Sequence, residues 1–120
     1  MSVRAIRGAI TVPENTKAAI LEGTKELLEE IIERNKLDNQ EVISAIFTVT
    51  GDLNATFPAI AAREIGWTDI SLMCTNEIDV PGSLKSCIRT LIHFNTEKGN
   101  NDINHVYLKG ATVLRPDLLK

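Results

Sequence analysis

The chain of 120 residues is short of most groups that announce a chemistry. It has two cysteines, Cys74 and Cys87, without Cys-x-x-Cys spacing, too few for a disulfide scaffold in so small a protein. The two histidines, His93 and His105, lie far apart in sequence, so no metal-ligand cluster is expected. There is no Gly-rich phosphate loop and no Gly-x-Ser-x-Gly elbow. No window approaches the ~18 apolar residues of a spanning helix. Two arginines interrupt the apolar start, Met1-Ser2-Val3-Arg4-Ala5-Ile6-Arg7, which is unlike a signal peptide. A reduced, cytoplasmic protein with no membrane partner is the expectation.

Aromatic residues are only 4% of the chain, so the core must be aliphatic. The formal net charge is -3, the wrong sign for a surface built to track nucleic-acid phosphates. Hydrophobic residues at 43% and charged residues at 24% are ordinary for a globular protein and exclude a disordered tail, a collagen-like fibre and a coiled coil. The length predicts one domain over residues 1–120.

Val3 to Val12 reads as a strand. Alternation puts Ile6, Gly8, Ile10 and Val12 on one face, and Arg7 on the other with Val3, Ala5, Ala9 and Thr11. An arginine among such small neighbours is a cation with cleared space. Thr16 to Asn35 is an amphipathic helix: Ile20, Thr24, Leu27, Leu28 and Ile31 form the dry stripe, with Glu22, Glu26, Glu29, Glu30 and Glu33 on the wet face. Asp38 to Glu41 has capping-box spacing. Strands are predicted at Ile43 to Thr50, Ile70 to Cys74 and Cys87 to Asn95, a short helix over Phe57 to Gly66, and a last strand within Val106 to Leu114. In the strand from Cys87, Arg89 falls opposite Ile88 and Thr90. The strands are too many and too closely spaced for an all-parallel fold. The expected class is α+β, a mixed sheet with helices packed on one face.

The chemistry-bearing residues are then Arg7 and Arg89 on strands, Arg63 on the short helix, Arg115 near the end, Glu77 just after a strand, and Tyr107 on the last one. Converging guanidinium forks suit a small carboxylate-rich ligand. The same arginines could instead hold an interface together as partners of Asp or Glu. Cys74, Cys87, Trp67 and both histidines read as structural.

Arg4-Ala5-Ile6-Arg7-Gly8-Ala9-Ile10-Thr11-Val12, Asp52-Leu53-Asn54-Ala55-Thr56-Phe57-Pro58-Ala59, Cys74-Thr75-Asn76-Glu77-Ile78-Asp79-Val80, Cys87-Ile88-Arg89, His105-Val106-Tyr107-Leu108 and Val113-Leu114-Arg115-Pro116-Asp117-Leu118 together closely resemble the monofunctional chorismate mutases of the trimeric α/β, or AroH, class. The resemblance runs along essentially the whole chain. It implies a homotrimer with a barrel-like core and active sites between subunits, converting chorismate to prephenate by a Claisen rearrangement on the way to phenylalanine and tyrosine, without cofactor or metal. It implies that Arg7, Arg89 and Tyr107 contact the substrate's carboxylates and ether oxygen. Glu77 and the backbone around Cys74, with Met73, Thr75 and Asn76, would take the ring hydroxyl side. Phe57 and Ala59 would shape the wall, with Arg63, Leu114 and Arg115 near the mouth. Family analogy would also let Arg7 and Arg89 come from different subunits. Ile60 stands where relatives often carry a lysine, and Met73 where a small polar residue is common. The chain stops soon after Leu118, which leaves a closing tail in doubt. A non-catalytic trimer binding a carboxylate metabolite is the competing reading.

Overall fold

The first strand forms as its alternation requires. In the computed structural model, which describes residues 2–116, β1 spans Ser2–Thr11. Ile6 and Ile10 are fully buried on one face, and Arg7 is half-buried on the other. The first helix, α1 (Lys17–Asn35), starts at Thr16, whose Oγ1 accepts the Ala19 N–H at 3.1 Å. It ends at Lys36, which turns left-handed (φ 50°) and returns its N–H to the Glu33 and Ile32 carbonyls. Ile20, Leu27, Leu28 and Ile31 are fully buried, and Glu22, Glu26, Glu29 and Glu33 are exposed.

Asp38 then caps a short 3-10 turn, Asn39–Glu41, with the capping box that its spacing predicts. The remaining elements are β2 (Val42–Val49), α2 (Ala59–Glu64), β3 (Ser71–Asn76), β4 (Cys87–Thr96) and β5 (Val106–Leu108). The five strands form one sheet in the order β3-β2-β4-β1-β5. β4 runs antiparallel to both β1 and β2, while β5 is parallel to β1 and β3 to β2. The mixed sheet and the order of strands and helices match the sequence reading.

The core lies between the sheet and the two helices. It is aliphatic apart from Phe47, Phe94 and Trp67. Trp67 is fully buried, with Nε1 donating to Asn39 Oδ1 at 2.8 Å, which makes it an anchor. Gly8 is needed where β1 passes under α1. A Cβ there would sit 2.8 Å from Ile31 Cδ1 and 3.2 Å from Leu27 Cδ1, so both buried side chains would have to shift to admit a methyl.

The short helix stops earlier than expected, and the last strand occupies only the start of its expected span. Helical geometry in α2 stops at Glu64, and Phe57 stays outside it, 66% exposed. The last strand pairs only through Leu108. Lys109 then takes φ 53° and the chain enters a 3-10 helix over Lys109–Val113, with the Gly110 N–H bonded to Thr11 Oγ1 at 2.9 Å. The Asp117-Leu118 end of the last motif and the tail lie outside the described residues. Among the described residues, no helix is long and apolar enough to cross a membrane.

Candidate active site

The sheet face opposite the helices carries the predicted charges, and strand register decides their arrangement. Ala9 stands opposite Tyr107 on one side and Arg89 on the other. Arg89 stands opposite Thr48, and Thr48 opposite Thr75. Tyr107, Ala9, Arg89, Thr48 and Thr75 therefore form one row across all five strands. Arg7 lies one pleat away, opposite Leu91, which faces Ile46 in turn. Ala9 itself is fully buried, packed with Tyr107, Cys87 and Ala111. A cavity of about 290 Å³ lies on this face, lined by Arg7, Ile46, Thr48, Glu77, Arg89, Leu91 and Tyr107 among others.

Two of the charges in the cavity are paired with each other. Arg89 Nε lies 3.7 Å from Glu77 Oε1, with the two side chains 45% and 25% exposed. Glu77 Oε2 accepts a hydrogen bond from the Thr48 hydroxyl. The Glu77 backbone N–H is tied to the Val49 carbonyl at 2.9 Å. The Arg7 backbone N–H donates to His105 Nδ1 at 3.0 Å, so His105 serves the backbone of β1. Tyr107 is both packed and site-facing: it is buried against Ala9, Cys87 and Ala111 and also lines the cavity. Burial pushes the Cys87 thiol up, against the pull of the Arg89 guanidinium, which suits a packed rather than a reactive thiol.

A second group of expected residues gathers elsewhere. Phe57, Cys74, Thr75 and Asn76 line an open cavity of about 540 Å³ with Val49, Leu53 and Ile60. Arg7, Glu77, Arg89 and Tyr107 do not line it. Arg7 and Arg89 stand on adjacent strands and line the same cavity. Ala59 lies apart from both cavities within one chain. It is 4% exposed and packs in the main core, because the first turn of α2 directs it inward, and Ile60 supplies the wall instead. Met73 is 62% exposed on β3, and Arg63 is exposed on α2; neither lines either cavity. Leu114 and Arg115 are half-buried beyond the last 3-10 helix, Leu114 against the Tyr107 cluster.

Sequence reasoning missed Thr48 and Asp52. Thr48 reads as one more β-branched strand residue, and only register brings it to Arg89. Asp52 reads as a turn breaker. Its carboxylate accepts from the Thr50 hydroxyl and from the Ser86 N–H and hydroxyl, and Thr50 Oγ1 accepts the Cys87 N–H at 3.0 Å. These bonds fix the chain as it enters β4, two residues before Arg89. The Thr50 hydroxyl first, and Ser86 after it, hold the Asp52 carboxyl below its usual range despite some desolvation. Among the described residues, no three His, Cys, Asp or Glu side chains gather as a metal-binding group.

A mixed-sheet α+β protein with paired arginines over a cleared pocket on its uncovered face is an anion-gripping architecture suited to a small carboxylated molecule. The family model for chorismate mutase type I matches residues 3–118. The chain is 46% identical over 119 residues to the chorismate mutase AroH of Bacillus subtilis (strain 168), covering 98% of this chain and 94% of that protein. It is 50% identical over 117 residues to the chorismate mutase AroH of Thermus thermophilus, covering 97% and 96%. The solved chorismate mutase from Clostridium thermocellum superposes with a TM-score of 0.90 at 59% identity, covering 92% of this chain and 98% of that one. The chain belongs to the type I chorismate mutase family.

Proposed function

We propose that this chorismate mutase, an isomerase, rearranges chorismate to prephenate in the pocket formed by Arg7, Glu77, Arg89 and Tyr107. The reaction breaks a C–O bond and makes a C–C bond within one molecule. In principle it needs no acid or base from the protein, but it needs a flexible substrate held in a compact reactive conformer. Negative charge grows on the ether oxygen as the C–O bond breaks. A fixed cation aimed at that oxygen stabilises the transition state more than the ground state, which is the condition for catalysis. Arg89 is that cation in this reading. Arg7 and Tyr107 bind the carboxylate side of the substrate, and Glu77 with the backbone near Cys74 takes the ring hydroxyl.

The observation that carries this reading is the row Tyr107-Ala9-Arg89-Thr48, with Arg7 one pleat away. It brings Arg7, Arg89 and Tyr107 to the lining of one cavity. A second observation supports assembly. Phe57, Cys74, Thr75 and Asn76 form a wall that does not close over Arg7 and Arg89 within one chain. A homotrimer completes the site by bringing that wall from one subunit to the arginine pocket of the next, with Arg63, Met73, Leu114 and Arg115 at its borders. The residues 1–120 then act as one domain in a cytoplasmic biosynthetic enzyme serving phenylalanine and tyrosine.

The test is loss of chorismate absorbance on adding purified protein, together with the oligomeric state from light scattering. Turnover by a trimer is expected. No turnover above the uncatalysed rate refutes the proposal, and turnover by a monomer refutes the shared site.

A further inference from the structure

Of the charged residues lining the pocket, Glu77 alone stands outside a strand. It follows β3 at the start of the 77–85 stretch, where Ile78 is 84% and Val80 54% exposed. Its side chain has three rotatable bonds to solvent-accessible space. The contact to Arg89 Nε, at 3.7 Å, is too long for a hydrogen bond, and a partly exposed ion pair of that kind holds little. The hydrogen bond that does fix the carboxylate comes from Thr48. Thr48 is well suited to hold it. It sits inside β2, which is hydrogen-bonded on both sides by β3 and β4, and its β-branched side chain is stiff at χ1. Its register partner is Arg89 itself.

Resting on the reading of Arg89 and Glu77 given above, we propose that Thr48 is a positioning residue for this reaction. By holding Glu77 Oε2, its hydroxyl keeps Oε1 turned toward Arg89 Nε. The carboxylate charge is then fixed on the Nε side of the guanidinium and draws it toward one orientation over the pocket before substrate arrives. Thr48 touches no reacting atom in this arrangement; it acts through Glu77 on the aim of Arg89. Aim matters mainly in the transition state, where charge has moved to the ether oxygen.

The experiment compares Thr48→Val, which keeps the shape and removes the hydroxyl, with Thr48→Ser, which keeps the hydroxyl. A loosened catalytic group costs up to about 100-fold in rate, so Thr48→Val is expected to lose about 10- to 100-fold in kcat. KM should change by less than about threefold, because a loss confined to the transition state falls on kcat. Melting temperature should hold, and Thr48→Ser should recover most of the rate. In a Glu77→Gln background, the further loss from Thr48→Val should shrink to less than about threefold, since coupled residues are not additive. Wild-type kcat in Thr48→Val overturns the proposal. So does a loss expressed only in KM, failure of the serine to rescue, or an undiminished loss in the Glu77→Gln background. If Thr48→Val does not fold, Thr48→Ala is subjected to the same measurements. Arg89→Ala, run alongside, separates the two readings: an active Arg89→Ala enzyme removes the site assignment itself, while an inactive one beside a fully active Thr48→Val removes only the role of Thr48.

Discussion

Replacing Arg89 by alanine separates catalysis from stability, because the structure makes very different demands on the same side chain in the two roles. In the folded protein, Arg89 is 45% exposed, and its ion pair with Glu77 spans 3.7 Å. Such pairs contribute less than about 1 kcal/mol. Truncation leaves Glu77 with its Thr48 hydrogen bond, so no carboxylate is abandoned without a partner. A change below about 1 kcal/mol moves the melting temperature of a domain this size by no more than about 5 °C. In the proposed mechanism, the same guanidinium faces the bond-breaking oxygen of the transition state. Loss of one preorganised donor costs about 100- to 1,000-fold, or about 2.7–4 kcal/mol of barrier, and a full unit charge belongs at the upper end. Arg89→Ala is therefore expected to lose about 1,000-fold in kcat while keeping its fold and assembly. Arg89→Lys keeps the charge but not the planar fork, so it should recover only part of the loss. The assay is chorismate absorbance in the same samples used for thermal melting. An Arg89→Ala enzyme within about tenfold of wild type, or one whose activity falls only in step with unfolding, refutes the reasoning.

Three further outcomes follow from the packing and electrostatics. Gly8→Ala should lower the denaturant midpoint by the equivalent of about 1–3 kcal/mol, because the new methyl meets Ile31 at 2.8 Å and the Val106 carbonyl oxygen at 3.3 Å under a buried helix. Thr90→Val should raise stability by about 1 kcal/mol in the same titration, since the buried Thr90 hydroxyl has no hydrogen-bond partner among the described residues; a loss of stability would refute this. Asp52 is held below its usual carboxyl range by Thr50 and Ser86, so its contribution is present above the unfolded value and lost as pH falls through the lower folded one. Asp52→Asn should therefore flatten the acid side of the stability profile and leave the neutral-to-alkaline side parallel to wild type; an unchanged acid limb would refute the assignment.

Much of this protein is legible locally. The alternation of β1 and β4, the dry stripe of α1 and the capping box at Asp38 each depend on neighbours a few residues apart, and all appear as read. Those same periods put Arg7 and Arg89 on the face away from the helices, and the ordered motifs point to the family. The reach of elements at their ends is less legible. The burial of Ala59 and the early end of β5 at Leu108 depend on what packs against α2 and on the turn at Lys109.

By itself, then, the sequence determined the class of elements, their order, the faces on which the arginines stand and the family. Only the tertiary structure decided the register. Pairing residues as distant as Arg7 and His105, or Thr48 and Glu77, leaves no local period to read. Register nevertheless sets Tyr107, Ala9, Arg89 and Thr48 in one row. Phe57, in the loop before α2, and Cys74, which pairs with the buried Phe47 one residue out of step with that row, line a separate cavity, an arrangement that no local period encodes.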